Sequence, residues 1–387
     1  MVRPAENPGM ALRNARVNAM TYEAHPVRNI IIRPTLKCTA NCEHCAARRS
    51  LHRSLSKEEL LSLDAWKAFL GEARSLGAED LCISGGEPTL YKDLLALIAT
   101  ASGLGLRVSM NSNGSPIRSD YAQELIRAGL RRIAISLYSH MPEIHNKIRR
   151  SKKLWASACN TIRMFANLKK EYPDFQLWTQ AIILRENFRS FDELIRFHYG
   201  LGSERINISY VEGDFEGKLL LSADEIRHFR GTVLPRIMAF FDTLDPSIAS
   251  EAVAKAERLY HPESGSPEEF SKGVYWNGKS CSIPQRQADV MANGDIHPCN
   301  FIDYIHGHVM GNLSQQSFQE IWSSDRWEEF RQNLLPECRV CPMNLHMSIP
   351  LRPRQASRSL KTRIFSGLRN FTKAVQVQVT SDSHAPQ

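Results

Sequence analysis

Three cysteines fall within eight residues in Cys38-Thr39-Ala40-Asn41-Cys42-Glu43-His44-Cys45. One tight loop can present all three thiolates to a single metal centre, and this spacing asks for one. Three thiolates hold three irons of an iron–sulfur cube and leave the fourth open to an external ligand. A structural cluster or zinc site instead closes its coordination with a fourth protein ligand, and a remote ligand would turn the triplet into such a site. A second group, Cys281, Cys299, Cys338 and Cys341, supplies four thiols and can close its own site, as a cluster or as a zinc ribbon. The last two cysteines, Cys82 and Cys159, lie in apolar strand and helix patterns and read as core.

Composition supports metal ligation over disulfides. The chain has 387 residues and nine cysteines, no 18-residue apolar run, and no signal-like stretch in its first 25 residues. A cytoplasmic protein is expected. The net charge of +8 is concentrated at the ends: the segment from Pro350 onward carries +6 and residues 1–37 carry +4, leaving −2 for the body. A basic nucleic-acid surface is therefore excluded for the part that holds the cysteines.

The elements that must position these thiols alternate regularly. Asn29-Ile30-Ile31-Ile32-Arg33 reads as a buried strand stopped at Pro34, which delivers the chain into the cysteine loop. A capping box at Ser56–Glu59 opens a helix with Leu60, Trp66, Phe69 and Leu70 on its apolar face. Strands follow at Leu81–Ser84, Leu106–Met110, Arg132–Leu137, Gln176–Leu184 and Arg205–Tyr210, with helical patterns between them. Six strands alternating with helices predict parallel βα units, closed into a full or partial barrel with ligands at the strands' carboxyl ends. Ser222-Ala223-Asp224-Glu225 opens a further helix that Pro235 should kink or end. Asn293-Gly294-Asp295 predicts a hairpin turn, and a single helix is expected over Phe318–Phe330. In the tail, Leu360, Ile364, Leu368, Phe371 and Val375 recur at helical spacing among Lys and Arg. Membrane-surface contact is one reading of that pattern; docking on the protein's own barrel, or disorder, are the others.

Cys38, Cys42 and Cys45 reproduce the C-x3-C-x2-C signature of the radical SAM superfamily, and Gly85-Gly86-Glu87-Pro88 is similar to its GGEP motif. The resemblance covers about residues 28–215. It implies a SAM-binding [4Fe–4S] cluster on the three cysteines and SAM contacts from Gly85, Gly86, Glu87 and Pro88. Glycines let backbone carbonyls approach the ligand, and Glu87 offers charge to its ammonium. Asn113 lies in a turn resembling the family's third-strand motif. Ser136 matches a fourth-strand position that reaches the ribose or carboxylate, although Tyr138 stands where many relatives have Asp. Arg149 resembles an arginine that neutralises the SAM carboxylate, Leu184 a fifth-strand end near the adenine, and His44 the aromatic position on the adenine edge. The later cysteines resemble a SPASM domain in its shorter twitch form, implying one auxiliary [4Fe–4S] cluster on Cys281, Cys299, Cys338 and Cys341.

The resemblance implies an α/β fold: a partial (β/α)6 TIM-like barrel with a small C-terminal twitch/SPASM-like domain. The expected division is an arm at 1–27, the barrel at 28–215, a helical linker at 216–270, the auxiliary domain at 271–350 and the basic tail at 351–387. The implied activity is reductive cleavage of SAM to a 5′-deoxyadenosyl radical that abstracts a substrate hydrogen atom, with an external reductant such as flavodoxin or ferredoxin. The auxiliary module resembles that of an aminocyclitol dehydrogenase, so dehydrogenation, epimerisation or rearrangement of a small sugar- or nucleoside-like metabolite is the favoured outcome. Asn111, Tyr138, Tyr210 and Glu212 are candidate substrate contacts. The alternative enzyme is a peptide maturase; the 28 residues before the first strand are too few for a leader-binding domain, which would then be a separate protein. A non-catalytic iron–sulfur or zinc interaction protein is the reading outside enzymes.

Overall fold

Strand β1 (Asn29–Ile32) buries Ile30 and Ile32 and leaves Asn29 and Ile31 half-buried, the two-residue period of a strand. It belongs to a computed structural model that describes residues 26–45, 60–115, 117–211, 218–275, 281–299, 308–339, 341 and 347–353. The same period recurs in β2 (Asp80–Ile83), β5 (Gln176–Ile182) and β6 (Arg205–Ser209), whereas the central strands β3 (Arg107–Ser112) and β4 (Leu130–Ser136) are buried over most of their length. Each strand pairs in parallel with the next. The returns run through α1 (Leu63–Ser75), α2 (Leu94–Gly103), α3 (Ser119–Ala128), α4 (Pro142–Arg149), α5 (Leu154–Leu168) and α6 (Phe191–Gly200). All six expected strands and the partial α/β barrel are therefore present.

One face of every strand is apolar and packs with the helices in a common core: Ile32, Leu81, Ile83, Val108, Ile133, Leu177 and Ile208 are buried with Trp66, Leu97, Leu125, Phe165 and Ile195. The alternate positions point inward and are polar, as at Ser84, Asn111, Ser136, Gln180, Asn207 and Ser209. A closed TIM barrel fills that interior with layers of branched apolar side chains. Among the described residues the inward face carries these polar side chains beside Ile182, and the sheet stays open. The order is β10-β6-β5-β4-β3-β2-β1-β7-β8-β9, so the terminal strands do not meet.

The C-terminal part is built into the same sheet. Strand β7 (Gln287–Val290) lies parallel beside β1, then β8 (Asp295–His297) and β9 (Gly311–Asn312) add antiparallel, and β10 (Met347–Pro350) pairs antiparallel with β6. Gly294, at φ +88°, makes the expected hairpin turn between β7 and β8. A buried bidentate ion pair joins the two parts: Arg33 Nε donates to Asp289 Oδ1 at 2.8 Å and Arg33 Nη2 to Oδ2 at 2.5 Å.

Several local expectations are corrected. Helix α1 starts at Leu63 with Ser62 accepting from Ala65 N–H, and Leu60 sits in a bend before it. The capping box at 56–59, residues 1–25, Glu212 and the tail from 354 lie outside the described residues. Pro235 stands in the first turn of a helical segment that follows an interruption, as the expected break implies. Its missing N–H is absorbed by a π turn at Phe229–Val233, between α7 (Ala223–His228) and α8 (Leu234–Phe241). The expected 318–330 helix is two, Phe318–Trp322 and Asp325–Gln332, because Ser324 accepts from Trp327 N–H and starts the second.

Candidate active site

The loop that carries Cys38, Cys42 and Cys45 leaves β1 at the carboxyl end of the sheet and is held on three sides. From β2, Gly86 N–H donates to Thr35 O at 2.9 Å and Glu87 N–H to Lys37 O at 2.7 Å. A Cβ on Gly86 would stand 2.2 Å from Lys37 O, and one on Gly85, whose φ is +110°, 2.6 Å from Thr35 O. These glycines are thus required for backbone-on-backbone passage. From β3, Asn113 Nδ2 donates to Thr39 Oγ1 at 3.0 Å and to Cys38 Sγ at 3.4 Å. From α4, Arg149 O accepts from Asn41 N–H at 3.1 Å, and Arg150 pairs with Glu43.

The three thiols line one cavity of about 460 Å³ together with His44, Gly85, Gly86, Asn113, Ser136 and Arg149. Burial pushes the Cys42 thiol up, while the Arg149 guanidinium beside it pulls the other way. Arg149 is itself 5% exposed; its Nη1 donates to Tyr138 OH, but its Nε is buried with no hydrogen-bond partner. A buried guanidinium with an unmade bond fits an anionic ligand group at this wall. Thiol donors on one loop, a glycine passage and an unsatisfied arginine together fit a cluster with a carboxylate-bearing ligand. Tyr138 fills the space between: its ring meets the His44 edge at 5.0 Å and lies 5.0 Å beneath the Arg149 guanidinium.

Three predicted ligand contacts stand elsewhere. Glu87 is fully buried, and its carboxylate accepts from Asn113 N–H at 2.7 Å, Ser112 Oγ at 3.0 Å and Thr89 Oγ1 at 2.9 Å. It pins the β3 turn and does not line the cavity. Pro88 is buried behind it, opening a short turn at Pro88–Leu90. Leu184 faces the apolar core; from its segment the site takes Asn187, whose Nδ2 donates to Tyr138 O at 2.8 Å. Gln180, which the sequence did not single out, lines the cavity and donates to Ser136 Oγ at 2.8 Å. The signal was available, since it is a polar residue on the inward period of β5.

Cys299, Cys338 and Cys341 are buried and Cys281 is half-buried, and none of the four is in a disulfide. Among the described residues no three His, Cys, Asp or Glu side chains converge on one ion. A four-iron cube spreads its thiolates over four different irons.

Two buried histidines support the site from behind. His145 Nδ1 accepts from Tyr138 N–H, and His198 bridges Leu137 O and Thr179 Oγ1. Burial holds each neutral, with pKa pushed down to about 3. The unfolded chain takes up these protons near pH 6.5 and the folded one does not. Stability is therefore complete above that value and is lost on acidification at about 1.4 kcal/mol per pH unit for each histidine. The melting temperature should fall steadily from pH 6.5 to pH 4.5, with a shallower slope in His198→Gln; a flat profile to pH 5 would contradict this.

A mostly parallel open sheet with three thiols at its carboxyl mouth defines a class. Residues 32–198 match the radical SAM superfamily model and residues 281–342 match a SPASM iron–sulfur cluster-binding domain. The chain belongs to the radical SAM superfamily and is a radical SAM enzyme with a SPASM domain; its cofactors are a [4Fe–4S] cluster, an auxiliary cluster and SAM. It is 25% identical to an AdoMet-dependent heme synthase of Oleidesulfovibrio alaskensis, covering 86% of this chain and 84% of that one. It is 23% identical to a PqqA peptide cyclase of Xanthomonas campestris, covering 82% and 80%. Among solved structures, Streptococcus suis SuiB bound to S-adenosylmethionine shares the fold at a TM-score of 0.59 and 16% identity, covering 89% and 76%. No helix among the described residues is long and apolar enough to cross a membrane.

Proposed function

We propose that this enzyme modifies a peptide. The sequence alone favours a small polar metabolite; the relatives support the alternative, since PqqA peptide cyclases match over about four-fifths of both chains. The observation that carries the reading is the open sheet, whose end strands β10 and β9 do not pair with one another, with polar side chains lining the cavity on its concave face.

Cys38, Cys42 and Cys45 would hold the SAM-binding cluster, and Cys281, Cys299, Cys338 and Cys341 the auxiliary one. The chemistry supplied by the bound cluster and SAM is one-electron cleavage to a radical that abstracts a hydrogen atom from an unactivated carbon. The chain's own residues bind and orient. Arg149 would offer its unmade Nε bond to the SAM carboxylate, with Tyr138 and Asn187 fixing its wall. The backbone edges of Gly85 and Gly86 would take the methionine amine, His44 the adenine and Ser136 the ribose. Asn113 orients Cys38, and Glu87 holds Asn113. An external flavodoxin or ferredoxin in the cytoplasm would deliver the electron.

The test is anaerobic turnover with dithionite and perdeuterated peptides encoded beside the gene. Deuterium in 5′-deoxyadenosine is expected; transfer from a deuterated sugar or porphyrin, and none from any peptide, would overturn the reading.

A further inference from the structure

The inward face of β5 and β6 carries one polar group that the chain does not satisfy. Asn207 is the register partner of Gln180 across the β5–β6 ladder, so the two carboxamides stand side by side on the concave face, about 4.8 Å apart at the backbone. Asn207 Oδ1 is buried and accepts no hydrogen bond. Gln180 uses its amide nitrogen on Ser136 Oγ, and lines the cavity. Asn207 is not itself among the residues that line the cavity; it lies two residues before Ser209, which does, about 6–7 Å away along the strand.

Two inward polar groups on other strands are internally paired. Ser109 donates to Leu81 O, and Asp289 takes both bonds from Arg33. Against that background, a buried amide oxygen left bare costs about 1–3 kcal/mol, and the position calls for a donor from outside the chain.

We propose that Gln180, which lines the cavity, and its register partner Asn207 on the neighbouring strand form a carboxamide pair that grips the main chain of the substrate. The inference rests on the peptide reading and adds where, and by what, a peptide is held. A carboxamide offers both an acceptor and donors on one planar group. It therefore matches the N–H and C=O that one extended residue turns to the same side. An anionic substrate would ask for guanidinium forks, which this pair does not provide.

The experiment uses the reconstituted full chain with SAM bound and the backbone-only probe N-acetyl-(Ala)3-N-methylamide, with glucose as the comparison, read by saturation-transfer NMR titration. The wild type should bind the tripeptide saturably. Asn207→Leu and Gln180→Leu should each weaken it about tenfold, the loss of one to two hydrogen bonds. Asn207→Leu should also melt no lower than the wild type, because it removes an unsatisfied buried oxygen. A purely structural Asn207 would instead lower the melting temperature and leave the tripeptide affinity unchanged, which overturns the pair while leaving the peptide reading in place. Glucose binding with no tripeptide binding overturns both.

Discussion

Cys42→Ala retains about four irons per chain where the wild type holds about eight, and yields no detectable 5′-deoxyadenosine when reduced with dithionite in the presence of SAM. Cys42 is the central and most buried thiol of its loop, 8% exposed, and lines the cavity with Cys38 and Cys45 on either side. Its burial raises the cost of a bare thiolate, so the negative sulfur depends on iron and on Arg149 for compensation. Alanine removes a ligand outright. Changes around a metal ligand already cost about 10–100-fold, and loss of the ligand itself exceeds that. Iron and sulfide analysis with product chromatography checks both parts. A variant that keeps all its iron, or still cleaves SAM, would move the cluster off these three residues.

Asp289→Ala loses about 3–5 kcal/mol of stability, and the double variant Arg33→Met with Asp289→Leu recovers most of it. The side chains of Arg33 and Asp289 are 6% and 0% exposed, and the contact is bidentate. Removing the carboxylate leaves a guanidinium desolvated without its counter-charge, and that uncompensated burial is the source of the large loss. Replacing both by apolar groups of similar size removes the charge and the penalty together. Thermal unfolding of the three proteins measures this. If the double variant is no more stable than the single one, the ion pair contributes in its own right rather than by mutual compensation. Because Arg33 is five residues before Cys38, the single variant should also take up iron more slowly.

The strands and their order of turns were legible because each carries its own two-residue period and its own stop, as at Pro34 after β1. The cysteines were legible because their spacing is local. Glu87 was harder: its residue type and motif speak of a ligand, but only the packed structure shows Ser112, Thr89 and Asn113 consuming its carboxylate. Leu184 failed for a related reason, since a strand end fixes where a residue lies but the alternation beyond the last paired residue does not fix which way it turns. The start of α1 slipped because two capping signals lie within seven residues, at Ser56 and Ser62, and among the described residues the second is the one that caps. The Arg33–Asp289 pair spans 256 positions, and no local pattern joins them.

That span has a consequence for how the molecule is made. β1 is an interior strand, with β2 on one side and β7 on the other. A ribosome that has finished the first six strands has therefore not yet made the strand that covers the outer edge of β1. Until residues 287–290 emerge, a row of unpaired amides and carbonyls beside Ile30 and Ile32 is open to pairing with another chain. Premature termination before β7 should give aggregates rather than a smaller working enzyme, so the length of the polypeptide acts as a checkpoint on its solubility.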